Sequence, residues 1–241
     1  MLIVLKFGGS SLADNEKIYL AAQRITTEHK NGNQVVAVVS AQGDTTDLLL
    51  QKALSLSPVP DPRELDAYLS AGEQMSAALV CMAVQEAGVD AISLTGWQAG
   101  IATDQQYGNA RVLALSNQRI RQELGSGKAV IVTGFQGCCH ENVTTLGRGG
   151  SDTTAVALAG LLKADLCRIY TDVDGVYDKD PRTYPDAVKY EQIGYEQMLS
   201  LARQGAQVLH DRCIEAAMAY QVPIQVLSSF RPGNGTMVTN T

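Results

Sequence analysis

Short apolar runs recur along the chain and alternate with segments of helical periodicity. Several runs are continuous rather than alternating, which is typical of strands buried on both faces of a sheet. The helical segments carry apolar stripes over residues 18–25, 65–82 and 155–162. The predicted strands cover residues 2–5, 35–39, 89–94, 129–132, 166–170 and 222–227.

This alternation predicts an α/β fold, a three-layer αβα sandwich around a mostly parallel central sheet. A proline-rich stretch at 57–62 separates two helical segments, and glycines at 125–127 end a helix before the strand at Ala129. The 241 residues show no internal repeat or long linker. We therefore expect one compact unit, with an N-terminal lobe over about 1–146 and a C-terminal lobe over about 147–241.

The composition does not alter the predicted fold, but it excludes several kinds of partner and site. The formal net charge of -6 gives no general electrostatic reason to bind nucleic acid or an anionic membrane. Five cysteines without a Cys-x-x-Cys pair indicate free thiols in a reducing cytosol, and no residues have metal-ligand spacing. Three dispersed histidines are interpreted as surface or structural residues. Since neither a signal peptide nor a membrane-spanning run is evident, we expect a cytoplasmic protein.

The first candidate for chemistry is segment 6–11, which joins the first strand to the first helix. Gly8 and Gly9 would let backbone N–H groups approach a ligand, and a helix start favours phosphate. Lys6 would lie at the carboxyl end of its strand, where open α/β sheets bind ligands. The alternative is a tight turn with an incidental lysine.

A second polar segment, 40–47, follows the next strand and opens a helix. Hydroxyls such as those of Ser40 and Thr46 can hold a small polar ligand. The alternative is ordinary helix N-capping by Asp44 or Thr45.

The third candidate is Gly72-Glu73, inside a predicted helix. Glycine in mid-helix costs roughly 1 kcal/mol relative to alanine, which indicates close packing or a nearby ligand. Glu73 is then a candidate for binding a substrate ammonium group. A solvated surface glutamate beside a packing glycine is the alternative.

Segment 145–154 is the most informative. Arg148 is flanked by glycines, so we expect it to be exposed and able to clamp a carboxylate with two hydrogen bonds. Ser151 or Asp152 would open the next helix. The alternative is a glycine-rich hairpin that leads into a capped helix.

The fifth segment, 171–182, leaves a buried strand and is rich in acids. Its spacing does not match a calcium-binding EF-hand loop. A nucleotide-binding loop fits better, with Tyr177 offering an apolar face and Arg182 a phosphate partner.

In their joint order and spacing, these five segments resemble the amino-acid kinase family, most closely its branch that phosphorylates aspartate. The resemblance extends to Ser228-Ser229-Phe230 and Gly235-Thr236. It implies transfer of the ATP γ-phosphoryl group to the side-chain carboxylate of L-aspartate, with Mg²⁺, in a homodimer. The product would serve lysine, threonine or methionine synthesis.

The resemblance also implies roles for individual residues. It implies catalytic roles for Lys6 and Asp152. The implied aspartate-binding set is Ser40, Thr46, Glu73, Arg148, Gly149, Gly150 and Ser151. The implied ATP-binding set is Lys6, Phe7, Gly8, Gly9, Thr171, Asp172, Tyr177, Lys179, Asp180, Pro181 and Arg182.

Two departures accompany the resemblance. Gln207 stands where many members carry a lysine that approaches the phosphates, so other cations would have to compensate. Relatives usually continue into C-terminal regulatory ACT domains, which we expect this chain to lack. Two other functions stay open: a kinase of the same fold acting on glutamate, acetylglutamate, carbamate or UMP, and a non-catalytic sensor of nucleotide or amino acid.

Overall fold

The computed structural model describes residues 1–206 and 208–240; Gln207, where a lysine is common, lies outside the described residues. The strands are β1 (Leu2–Phe7), β2 (Gln34–Val39), β3 (Ala91–Leu94), β4 (Ile101–Thr103), β5 (Val112–Leu115), β6 (Ala129–Thr133), β7 (Gln136–Cys139), β8 (Asn142–Thr145), β9 (Leu166–Thr171), β10 (Gln192–Gly194), β11 (Ile224–Ser228) and β12 (Thr236–Thr239). The helices are α1 (Asn15–Lys30), α2 (Thr45–Leu56), α3 (Pro62–Leu69), α4 (Ala71–Glu86), α5 (Gln118–Gly125), α6 (Gly150–Leu162), α7 (Tyr195–Arg203) and α8 (Asp211–Tyr220), with a 3-10 turn at Gly9–Leu12.

Eight strands form the main sheet in the order β10-β12-β11-β9-β1-β2-β6-β3. The six from β11 to β3 are parallel, whereas β12 runs antiparallel to β11. A second sheet, β5-β4-β7-β8, has four strands. The carboxyl ends of β1, β2, β6 and β9 therefore meet at one edge, where ligands bind in open α/β sheets.

Helices cover both faces of the main sheet, so successive residues of its strands are buried alternately on one side and on the other. Val4 packs in one core with residues of α6 and α8, including Leu158 and Ile214. Its neighbour Leu5 packs in a second core with residues of α1 and α4, including Ile25 and Val80. Burying one such side chain contributes roughly 1.5–3 kcal/mol. The predicted αβα sandwich is confirmed.

All six predicted strands are present, with ends that differ by one to a few residues. The predicted helical stripe over 65–82 is wrong in one respect: it is two helices, α3 and α4, with Ser70 between them. Gly72 thus lies in the first turn of α4 rather than in mid-helix. The capping alternative for segment 40–47 also fails, because neither Asp44 nor Thr45 caps α2 through its side chain: Asp44 is the cap residue and makes no such hydrogen bond.

No helix within residues 1–206 and 208–240 is both long and apolar enough to cross a membrane.

Candidate active site

Lys6 and Asp152 meet beneath the sheet edge. Lys6 is near the end of β1, and Asp152 lies in the first turn of α6, where the helix dipole favours a carboxylate. The Lys6 Nζ–Asp152 Oδ1 distance is 2.6 Å, and each side chain is only 11% exposed. The contact is an ion pair without hydrogen-bond alignment, and Asp152 Oδ1 has no hydrogen-bond partner among the described residues. The fold therefore holds these two opposite charges together at the sheet edge.

A cavity of about 330 Å³ opens above this ion pair. A larger cavity of about 440 Å³ beside Trp97 contains none of the predicted site residues. We therefore assign the site by the side chains that line a cavity and not by its volume. The predicted residues that line the cavity above the ion pair are Lys6, Gly8, Gly9, Ser40, Thr46, Glu73, Gly149, Gly150, Ser151 and Asp152. Ten residues predicted from separate segments are thus brought to one place.

Glu73 is a buried carboxylate on this cavity wall, so its interpretation as a solvated surface residue is wrong. Its Oε1 accepts a hydrogen bond of 3.1 Å from Ala41 N, whereas Oε2 is buried without a partner among the described residues. Burial raises the pKa of Glu73 to about 7. An unpaired buried carboxylate oxygen is costly, and a cationic ligand group would relieve that cost.

Glycines allow the walls of the cavity to approach closely. A Cβ on Gly72 would lie 2.9 Å from Ala41 Cβ, and one on Gly9 would lie 2.8 Å from Ala41 O. Gly43 N donates to Gly9 O at 3.0 Å, which ties the two loops together. The close packing expected at Gly72 is confirmed, and it explains how Glu73 reaches Ala41 N.

The glycine-rich loop at 147–150 forms another wall. Gly147 and Gly149 have left-handed φ angles of +72° and +69°, a conformation that favours glycine. Gly150 N donates to Gly147 O at 3.0 Å, which closes the turn. Arg148 is exposed at the tip, as predicted, but does not line the cavity. Its role as a carboxylate clamp stays a prediction.

The sequence interpretation missed the position of His210. Its ring lies against Gly149, where an added Cβ would come within 2.3 Å of the imidazole, and it lines the cavity. The histidines show no spacing that indicates a site, so the sequence predicts only a surface or structural residue at this position.

The predicted ATP-binding residues divide into two groups. The first lies at the sheet edge: Thr171 ends β9, which pairs with β1 through Tyr170 and Phe7. The Phe7 side chain is 1% exposed and stacks on Tyr170 with ring centroids 4.9 Å apart. Only its backbone can face a nucleotide. Thr171 Oγ1 donates to Asp172 Oδ1 at 3.0 Å.

The second group lies on the segment that follows β9, and its charged groups pair with one another. Lys179 Nζ is 2.7 Å from Asp186, and Arg182 Nε is 3.1 Å from Asp180. Tyr177 donates its hydroxyl to Asp174 at 2.9 Å, and Pro181 is exposed. None of these residues lines the cavity at Lys6, and their nucleotide contacts stay predictions.

Within the described part of the chain, no group of three or more histidine, cysteine, aspartate or glutamate side chains could hold a metal ion. The carboxylates on the cavity wall are Glu73 and Asp152. Magnesium sites of phosphoryl-transfer enzymes typically combine one or two carboxylates with phosphate oxygens and water. These residues fit a Mg²⁺ ion that is held largely by nucleotide phosphates.

The chain thus combines an αβα sandwich with a buried lysine–aspartate pair and a glycine-lined cavity at the carboxyl ends of parallel strands, the architecture of an α/β ligand-binding protein. The sequence model of the amino acid kinase family matches residues 1–228. The chain belongs to the amino acid kinase family.

Within that family the chain is similar to aspartokinases. The aspartokinase of Corynebacterium glutamicum is 51% identical over 242 aligned residues, covering 100% of this chain and 58% of the relative. The crystal structure of aspartate kinase from Synechocystis superposes with a TM-score of 0.89 at 47% identity, covering 100% of this chain and 40% of that one. Aspartokinase III of E. coli, in complex with aspartate and ADP, superposes with a TM-score of 0.90 at 27% identity, covering 100% and 65%. The chain spans little more than half the length of the curated relatives it matches.

Proposed function

We propose that this chain transfers the γ-phosphoryl group of ATP to the side-chain carboxylate of L-aspartate, giving 4-phospho-L-aspartate and ADP. The observation that carries the proposal is the cavity that contains the Lys6–Asp152 pair and Glu73 Oε2, a buried oxygen that no described residue hydrogen-bonds. In this cavity, the ammonium group of Lys6 can bind a phosphoryl group, and the carboxylate of Glu73 can bind the ammonium group of an amino acid. Similarity to aspartokinases at about 50% identity supports the choice of acceptor.

The chemistry requires alignment and charge stabilisation rather than a general base. A carboxylate is already ionised at pH 7, so nothing has to remove a proton from the attacking oxygen. Lys6 would stabilise the negative charge on the phosphoryl group during its transfer. Asp152, 2.6 Å from Lys6 Nζ, would hold that cation in place.

Binding of the amino acid uses the other side of the cavity. Glu73 Oε2 would accept hydrogen bonds from the α-ammonium group, because this buried carboxylate oxygen has no hydrogen-bond partner within residues 1–206 and 208–240. The side chain of Arg148 would turn inward from its exposed position to bind the α-carboxylate, while the backbone of the glycine-rich loop stays in place. The side-chain carboxylate would then point toward Lys6.

ATP would bind along the same sheet edge. The backbone at Gly8 and Gly9 would receive its phosphates, and the segment from Thr171 to Arg182 would contact the rest of the nucleotide. Of the two carboxylates on the cavity wall, Asp152 would help to hold Mg²⁺, which when bound would offset phosphate charge. The C-terminal lobe would thus contact the nucleotide beyond its phosphates, and the N-terminal lobe would bind the ammonium group of aspartate through Glu73.

Measuring ADP release with and without L-aspartate tests this proposal. We expect turnover that depends on L-aspartate and yields an acyl phosphate, trapped with hydroxylamine. Glutamate, acetylglutamate, carbamate and UMP serve as matched acceptors. Faster turnover with any of these would refute the assignment, and ATP binding without turnover on any acceptor would favour a sensor.

We further propose that the chain forms a homodimer. Tyr19 on α1 and Met82 on α4 each expose more than half of their surface and line one groove with Leu79, and contiguous exposed apolar groups mark interaction sites. Light scattering would give twice the chain mass for a dimer, and a monomeric mass at micromolar concentration would contradict it.

A further inference from the structure

The glycine-rich loop at 147–150 depends on neighbouring segments for its conformation. Its glycines carry no side chains that could pack, and two of them have left-handed backbone angles. Fixing the backbone of a glycine in one conformation costs more free energy than for other residues, because glycine loses more conformational entropy on folding. Yet this loop carries Arg148 and sets the start of α6, which bears Asp152. Other parts of the molecule must therefore hold it.

Arg212, in the first turn of α8, contacts the entrance of the loop. Its Nη1 donates to Leu146 O at 2.8 Å and to Asn109 Oδ1 at 2.9 Å, and its Nη2 donates to Ala110 O at 2.8 Å. Three acceptors from two separate segments thus converge on one guanidinium. A planar fork of donors suits this arrangement, and a single ammonium group cannot reproduce it.

His210, two residues earlier, contacts the other end of the loop. Its imidazole occupies the space that a side chain on Gly149 would need. Gly149 O in turn accepts from Thr153 N and Thr153 Oγ1, both at 3.1 Å, so the position of Gly149 affects the first turn of α6. The start of α8 therefore contacts the loop at both of its ends.

Asp66 secures the same region from the opposite side. This carboxylate is 1% exposed and accepts from Gly108 N at 2.9 and 3.0 Å. It also accepts from Thr145 N and Thr145 Oγ1, both at 2.7 Å. Ala110 N donates to Thr145 O at 2.9 Å. Segment 108–110 is thus held between Asp66 and Arg212, directly beside the strand that leads into the loop.

We propose that Arg212 is a positioning residue, which fixes the glycine-rich loop in the geometry that binds the acceptor amino acid. It acts through Leu146 and segment 108–110, and His210 assists it at Gly149. This inference rests on the proposed function, because it takes the loop to bind the acceptor. If this inference holds, substitution of Arg212 weakens binding of the acceptor amino acid and leaves binding of the nucleotide unchanged.

The variant Arg212→Lys tests this role, because it keeps the positive charge and loses the planar guanidinium that donates to all three acceptors. The matched control is Arg203→Lys, since Arg203 lies on α7 and pairs with Glu215 on the same helix α8 at 3.0 Å. We expect the KM for L-aspartate to rise about tenfold in Arg212→Lys, because small displacements of positioning groups are costly. The KM for ATP should change less than about twofold, and Arg203→Lys should match the wild type in both.

Amide hydrogen exchange gives a second readout that does not require activity. In Arg212→Lys, residues 146–151 and 108–110 should exchange faster, and the strands of the main sheet should be unaffected. An unchanged KM for aspartate with unchanged exchange would overturn the inference. Equal rises in both KM values, or faster exchange throughout the chain, would also overturn it by indicating a general structural role. If the wild type failed to phosphorylate aspartate, the proposed function would fail, and exchange would still decide whether Arg212 holds the loop.

Discussion

The cavity at Lys6 and the segment 172–189 are both rich in charge, but they are held in different ways. Lys6 and Asp152 come from distant parts of the sequence and form a buried pair. In the segment, Arg182 pairs with Asp180 two residues away, and both side chains are well exposed. One arrangement depends on the whole fold, whereas the other depends on its own few residues.

This difference determines what each region can do before a ligand arrives. Breaking a buried pair is costly, so the fold keeps Lys6 and Asp152 close together. Exposed pairs contribute little and are screened by salt, so Lys179 and Arg182 can exchange their carboxylate partners for phosphate oxygens. The cavity is therefore preformed. In the segment, we expect the charged side chains to change their ion-pair partners when nucleotide binds.

The largest expected effect comes from removing the buried cation. In Lys6→Met, kcat should fall by about 10³-fold or more, because a main source of charge stabilisation in the site is lost. Stability should fall by about 3 kcal/mol, because Asp152 keeps a buried charge without its counter-ion. Steady-state kinetics and denaturant unfolding measure the two effects.

The double variant Lys6→Met/Asp152→Asn separates these effects. It should recover most of the lost stability, since no unpaired charge remains, and it should stay inactive. A Lys6→Met enzyme with wild-type kcat would show that the buried pair serves the fold alone.

A second test targets the cavity wall. In Gly149→Ala, we expect kcat/KM for aspartate to fall by about 10²-fold, because the new methyl group displaces His210 and the loop. Gly32→Ala is the matched control: its φ of +84° is also left-handed, but no atom lies within 4 Å of the new Cβ. Both variants should share a strain cost of roughly 1 kcal/mol. Equal activity in both would show that the contact with His210 is irrelevant.

A third test uses the raised pKa of Glu73. Ionised Glu73 binds an ammonium group better, so the KM for aspartate should fall about tenfold between about pH 6 and about pH 8. In Glu73→Gln the KM should be higher and its change with pH should be absent. Glu64→Gln, at an exposed position on α3, should keep the wild-type profile. A flat wild-type profile would refute the assignment of Glu73 to the ammonium group.

The same pKa predicts the pH dependence of stability in the absence of ligand. A raised pKa means that the folded protein holds the proton more tightly than the unfolded chain, so this contribution is complete below pH 4.5 and is lost as the pH rises to about 7. The wild type should therefore lose roughly 3 kcal/mol over this interval relative to Glu73→Gln. Urea unfolding at several pH values measures this difference, and parallel curves for the two proteins would contradict it.

The sequence predicted the parts of this fold that depend on local pattern. Continuous apolar runs identified all six parallel strands, because strands buried on both faces leave a distinct signal. The second sheet was missed, since its strands are three or four residues long and β7 begins Gln136-Gly137. The break at Ser70 was missed because the apolar stripe continues through it.

The candidate site was predictable only where its residues lie in recognisable segments. Lys6, Glu73 and Asp152 were found in this way, and the structure brings them to one cavity. Asp66 and Arg212 carry no local signal, because their roles arise from hydrogen bonds to backbone groups far away in sequence. Such contacts depend on the tertiary fold, which a single sequence does not specify directly.

The smallest expected effect concerns the segment 172–189. Arg182→Ala should leave the melting temperature unchanged, because the pair that Arg182 forms with Asp180 is exposed and local. If Arg182 exchanges Asp180 for a phosphate, the KM for ATP should rise by about fivefold, and the KM for aspartate should stay constant. Arg203→Ala is the matched control, since Arg203 has a similar exposed partner in Glu215. A changed KM for ATP at constant stability would show that this segment is built for exchange of partners. If neither value changed, the nucleotide phosphates would not be bound by Arg182, and the preformed cavity would have to bind them through Lys6 and the backbone at Gly8 and Gly9.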